Sequence, residues 1–222
     1  MAHAASAAAD ADAEDRRRGR FITLEGGEGA GKSTQARLLA ERLADRGLPV
    51  MLTREPGGAP GAEAVRGVLL GSGPWDGVAE TMLHFAARRE HVARSVGPAL
   101  KAGMWVVCDR FADSTLAYQC FGQGVPRAVF DALAETALGP LRPDLTLILD
   151  LPPESGLARA AARGETNRYE ALDPAFHTRV RAGFLAIAEA EPGRCVVLDA
   201  AGSPADVAAA ISAAVQKRLA LP

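Results

Sequence analysis

Five stretches of the chain are apolar and β-branched without the alternation of a half-exposed strand. They are FITLE (residues 21–25), PVMLTRE (49–55), WVVCDR (105–110), LTLILDL (145–151) and RCVVLDA (194–200). Unbroken runs of this kind mark strands buried on both faces, as in a parallel sheet. Helical spacing of apolar positions fills the gaps, at residues 32–45, 62–70, 78–102, 126–138, 153–163, 174–190 and 204–219. Strand and helix alternate throughout. The pattern predicts an α/β fold with right-handed crossovers and a central parallel five-stranded sheet flanked by helices.

Composition narrows this picture without changing it. The 222 residues are 48% hydrophobic, enough for one core, and no linker or internal repeat divides them. One domain is expected over residues 20–222. Residues 1–19, MAHAASAAADADAEDRRRG, lack the apolar centre of a secretory signal and read as a disordered N-terminal tail. A formal net charge of -2 supplies no basic field, so neither nucleic acid nor membrane is expected as a partner. Cys108, Cys120 and Cys195 are odd in number and share no CxxC spacing, which fits a reducing, cytoplasmic compartment.

The first chemistry lies between the first strand and the first helix. Gly26, Gly27, Glu28, Gly29, Ala30, Gly31, Lys32 and Ser33 satisfy GxxxxGK[ST] in the strand-to-helix setting which that motif requires, with Thr34 following. Glycines let successive backbone N–H groups turn inward on phosphate oxygens, and the helix N-terminus adds its positive dipole end. Lys32 is placed to reach the β- and γ-phosphates of a bound triphosphate, and the Ser33 hydroxyl to hold Mg²⁺. The fold expected is therefore the three-layer P-loop NTPase architecture. A GTP switch is disfavoured, because DxxG after a strand and an Asn-Lys-x-Asp guanine reader are both missing from the sequence. Instead the third strand ends in Asp109-Arg110: a carboxylate placed to polarise a Mg²⁺-bound water, and a cation for a second phosphate.

With these residues in place the chain resembles the bacterial thymidylate kinases. The likeness runs from Phe21 to the C-terminus through LEGGEGAGKST, TREPGG, FAARREH, DRFADSTLAYQ and RPDLTLILDL, in that family's order. It implies transfer of the γ-phosphoryl group of ATP to dTMP, with Mg²⁺ as cofactor, in a homodimer. Arg54 would grip the acceptor phosphate, while Glu55 would contact Mg²⁺ or orient Arg54. Arg88 would bond the thymine edge. The family's stacking Phe is replaced by His84, so either His84 or the adjacent Phe85 would cover the base, unless Phe85 is core. An amide reads the N3/O4 edge of thymine bidentately, which assigns Gln119, with Thr115 and Ser114 supporting it or capping a helix. Tyr118 would face the deoxyribose and Glu28 the sugar 3′-OH.

A small lid is expected over about residues 158–172, ARAAARGETNRYEAL, where Arg163 would stabilise the migrating group, followed by Arg168 and Arg159. Asn167 stands where the family pattern has Asp, which weakens any ion pair there. The competing readings are a P-loop kinase for another nucleoside monophosphate and a nucleotide-binding switch that turns over slowly. The first differs in its acceptor profile, the second in lacking an acceptor site.

Overall fold

The computed structural model describes residues 18–71, 73–162, 164 and 168–219. Among them five strands form one parallel sheet, ordered β2-β3-β1-β4-β5: β1 (Phe21–Glu25), β2 (Val50–Arg54), β3 (Trp105–Asp109), β4 (Leu145–Asp150) and β5 (Cys195–Asp199). Each strand falls within one residue of the apolar run that predicts it. The central strand β1 pairs Leu24 with Asp109 of β3 and Glu25 with Ile148 of β4. The carboxyl ends of β1, β2 and β3 thus deliver Glu25, Arg54 and Asp109 to one edge of the sheet, where open α/β sheets bind ligands.

Alternate residues of the strands feed two cores. Ile22, Leu24, Val107, Leu147 and Leu149 pack under α1 (Lys32–Ala44) and the last helix, α9 (Pro204–Arg218). Phe21, Val106, Cys108 and Ile148 pack on the opposite face with residues from the helices between. Those helices are α2 (Pro60–Gly71), α3 (Gly77–His91), α4 (Gly97–Lys101), α5 (Ala112–Thr115), α6 (Arg127–Leu138), α7 (Pro153–Ala161) and α8 (Pro174–Ala190).

Two departures from the predicted elements have physical causes. The helix expected over 78–102 is interrupted by a π-helical turn, Val92–Val96, just before Pro98 of α4. Proline has no N–H and its ring crowds the carbonyl four residues earlier, so the ladder widens ahead of it. The polar segment after β3 is also helical: α5 runs into a second π-helical turn, Leu116–Gly122, which carries Tyr118 and Gln119. Of the expected tail, residues 1–17 lie outside the described residues. At its end Gly19 donates its N–H to the Leu100 carbonyl at 2.9 Å, and Arg18 pairs with Asp144 at 2.7 Å.

Candidate active site

A cavity of about 390 Å³ opens along the carboxyl edge of the sheet, with Gly29, Gly31, Lys32, Ser33 and Thr34 at one end. The loop there is shaped by two glycines in the left-handed region. Gly31 opens α1 at φ 85°, and Gly29, at φ 68°, approaches α7 so closely that a Cβ would stand 1.9 Å from the Gly156 carbonyl oxygen. Lys32 curls back on this loop and donates from Nζ to the Gly27 carbonyl at 2.6 Å.

Burial, then repulsion from Arg110, lowers the Lys32 ammonium to a pKa of about 8, against partial support from Glu28, Asp109 and Glu25. Charged below that value and neutral above it, Lys32 would link phosphate binding to pH. ATP affinity is expected to weaken by up to about tenfold per pH unit above about pH 8. Calorimetric titrations with ATP between about pH 7 and about pH 9.5 would check this; a constant affinity would show that the lysine keeps its proton throughout.

Ser33 Oγ donates to Asp109 Oδ2 at 2.5 Å, and Asp109 Oδ1 is buried without a hydrogen-bond partner. A hydroxyl and an unsatisfied carboxylate oxygen at the phosphate end form the hard oxygen donor set that suits Mg²⁺. Among the described residues no group of three or more His, Cys, Asp or Glu side chains that could hold a metal ion is found. Glu55 does not join this set, nor does it orient Arg54. Its Oε2 accepts from Arg88 Nε at 2.7 Å and its Oε1 faces His91 Nδ1 at 2.9 Å, all three side chains being buried. Arg54 instead pairs with Glu63 of α2 at 3.2 Å. A buried carboxylate needs hydrogen-bonding partners, and α3 offers two, Arg88 and His91, while Arg54 is solvated.

Midway along the cavity stands Arg110, the one non-glycine residue with positive φ (69°) among the described residues. That strained conformation is held by its neighbours: Phe111 N–H donates to Glu25 Oε1 at 2.7 Å, and Arg110 N–H to the Leu24 carbonyl at 3.0 Å. The turn aims the guanidinium at Glu28, 2.9 Å away, and at Tyr118 Oη, 3.3 Å away. Tyr118 in turn donates to Glu28 Oε1 at 2.8 Å. Burial alone would raise the Glu28 carboxyl, but Arg110 and Lys32 hold it down at about 2. Glu25, deeper and next to Asp113, is pushed up to about 7 by burial first and that carboxylate second. Ser114 serves this scaffold, donating to Glu25 Oε2 at 2.5 Å and accepting from Arg110 at 3.3 Å.

At the far end α3 presents Glu80, His84 and Arg88, four residues apart and therefore on one helical face. Asp76 caps that helix through Val78 and Ala79 N–H. Arg88 is 2% exposed and bonds Glu55, the Phe111 carbonyl (3.0 Å) and Thr115 Oγ1 (3.1 Å), which leaves Nη1 unpartnered. Gln119 donates from Nε2 to Glu80 at 2.8 Å, and its buried Oε1 has no partner. His84 lines the cavity; burial, then the positive charge of Arg88, holds its pKa at about 3, so the ring is neutral. Phe85 faces away. It sits in the core with its ring edge-to-face on Phe130 at 5.3 Å, so of the two candidates for covering a base only His84 reaches the cavity.

Of the lid residues, Arg163 and Asn167 lie outside the described residues. Arg168 pairs with Glu80 at 2.5 Å. Arg159 lines the cavity and donates to the carbonyls of Ala200 and Ala201 at 2.9 Å each in the turn after β5. The sequence reading missed Arg66, Tyr169 and Glu80. Arg66 lines the cavity beside Arg54 and is fastened to the Pro56 carbonyl at 2.7 Å; its position three residues after Glu63 on α2 was the available signal.

Comparison with known proteins agrees with this geometry. A family model described as thymidylate kinase matches residues 24–211. The chain is 55% identical to a thymidylate kinase of Caulobacter vibrioides over 205 residues, covering 91% of this chain and 99% of that one. It is 54% identical to one of Gluconobacter oxydans, covering 91% and 96%. A solved thymidylate kinase from Ehrlichia chaffeensis superposes with a TM-score of 0.74 at 35% identity, over 90% of this chain and 99% of that chain. With β2 to β5, the phosphate loop and the far pocket inside the residues matched by the family model, the chain belongs to the thymidylate kinase family.

Proposed function

We propose that this protein is a dTMP kinase, moving the γ-phosphoryl group of ATP to dTMP to give dTDP and ADP. One observation carries the choice of acceptor. Arg88 Nη1 is a donor and Gln119 Oε1 an acceptor, both buried, both unpaired, and both belonging to residues that line the same cavity. Thymine presents the complement, an O4 acceptor beside an N3–H donor, whereas cytosine inverts both groups. Leaving two buried polar atoms unmatched is costly, so the discrimination is intrinsic to the site.

The remaining roles follow from position. Arg54 and Arg110 receive the acceptor phosphate, with Arg66 nearby; Glu28 and Tyr118 face the sugar; the neutral His84 ring lies against the base. Lys32 neutralises charge between the two nucleotides, and Arg163 is assigned to the migrating group by its place in the lid sequence. Ser33 and Asp109 would hold Mg²⁺, which would offset phosphate charge. The acceptor phosphate is already an anionic nucleophile, so the side chains supply alignment and charge neutralisation and no general base is needed. A homodimer is supported by Met82 and Val68, 53% and 47% exposed on the adjoining helices α3 and α2. A cytoplasmic location is supported by three free cysteines, two of them buried. No helix among the described residues is long and apolar enough to cross a membrane.

The test is an ADP-release assay across monophosphates. kcat/KM for dTMP is expected to exceed that for dCMP by about 10²-fold, with dUMP, which shares the recognised edge, in between and AMP and GMP near background. A flat profile, or hydrolysis indifferent to the acceptor, would defeat the assignment in favour of a different kinase or a switch.

A further inference from the structure

We propose that Glu80 is a positioning residue for base selection: it decides which face of the Gln119 amide meets the base. The inference rests on the thymine reading above. Glu80 is 1% exposed and does not line the cavity, so it acts through its neighbours. Its Oε1 accepts from Gln119 Nε2 at 2.8 Å, Tyr169 Oη at 2.6 Å and Gln123 Nε2 at 3.2 Å, and its Oε2 takes Arg168 Nη2 at 2.5 Å.

An amide has a donor end and an acceptor end of nearly equal shape, and only its partners settle which end faces where. A carboxylate accepts and never donates. Against Glu80 the Gln119 nitrogen must therefore turn inward, which leaves Oε1 for the cavity as the unpartnered acceptor. Turned the other way, the same amide would present a donor and suit the N3 acceptor of cytosine. Selection for an N3–H base thus originates one residue behind the one that touches the base.

The carboxylate is itself held from the lid side. Arg168 occupies the second oxygen. Tyr169 donates to the first, while its own hydroxyl oxygen accepts from Arg168 Nη2 and faces His84 Nε2, each at 3.0 Å. Because the tyrosine proton goes to Glu80, His84 Nε2 carries the hydrogen of that contact. The C-terminal part of the lid segment, the face of the base and the edge of the base are joined through one anion.

Glu80→Gln tests this. Its side chain can accept from Gln119 or donate to it, so the Gln119 amide loses its fixed direction while size is kept. In steady-state assays of wild type and variant with dTMP and dCMP, the kcat/KM ratio between the two acceptors is expected to fall at least about tenfold. The dTMP value should drop while the dCMP value holds or rises. Equal losses for both acceptors, or no change in the ratio, would reduce Glu80 to packing and overturn the inference. Where Glu80→Gln fails to fold by circular dichroism, Glu80→Asp replaces it. That variant keeps the charge for Arg168 but withdraws the carboxylate by one methylene from Gln119, and the same fall is expected; an unchanged ratio overturns the inference. A wild-type ratio near one would instead defeat the thymine reading itself, which separates the two failures.

Discussion

Lys32→Ala is expected to lower kcat by about 10²–10³-fold, the usual cost of deleting one preorganised cation or donor at developing charge. The argument is electrostatic. Transfer spreads charge over the equatorial oxygens of the migrating group, and Lys32 sits inside the loop expected to hold those oxygens. In the free protein it is parked on the Gly27 carbonyl at 2.6 Å, so little rearrangement separates the resting side chain from a phosphate contact. Its low pKa shows that the fold carries this cation at a cost, burial first and Arg110 second. Removing it therefore spares stability: relief of that repulsion offsets the lost attraction to Glu28 and Asp109, and the melting temperature should change by no more than about 3 °C. Stopped-assay kinetics with a parallel thermal melt would check both halves. A variant turning over within a factor of about ten of wild type would remove Lys32 from the chemistry, and a variant that unfolds would make it structural.

Features of the site legible in the sequence share one property: they are local. GGEGAGKS predicts its own conformation, because glycine spacing, strand and helix lie within a dozen residues. The five strands were equally readable as apolar runs, although only β1, β3 and β4 are buried on both faces, while the edge strands β2 and β5 expose Leu52 and Val197. Illegible features depend on pairings across the chain. Glu55 reads as a companion of Arg54 next to it, yet its partners, Arg88 and His91, are 33 and 36 positions away. Glu80 looks like a surface residue in the first turn of α3, although it lies on the same helical stripe as His84 and Arg88. That four-residue spacing was the available signal, and it becomes meaningful only once Gln119 and Arg168 arrive from other elements. The π-helical turn bearing Tyr118 and Gln119 has no local signature at all, as its widened ladder is a product of tertiary packing.

Arg88 joins the two sides of that contrast, since one guanidinium both braces the core and lines the cavity proposed to take the base. Its Nε neutralises Glu55, its Nη2 ties the Phe111 carbonyl and Thr115, and its Cζ lies 4.8 Å from the Phe85 ring centroid. Arg88→Met keeps much of the volume but strands a carboxylate with a 3% exposed side chain, supported only by His91 among the described residues. Breaking one partner out of a buried ion pair costs about 3–5 kcal/mol. For a domain of this size that corresponds to a fall of about 6–20 °C in melting temperature. Adding Glu55→Gln removes the stranded charge, so the double variant should regain most of the lost stability. It should not regain thymidylate selectivity, because Nη1, the donor left for O4, is still missing. Calorimetric melts of the two single variants and the double variant, each paired with dTMP titration, would separate the roles. If Arg88→Met melts within about 2 °C of wild type, the Glu55 pair does not stabilise the fold. If the rescued double variant still binds dTMP with wild-type affinity, the guanidinium does not read the base.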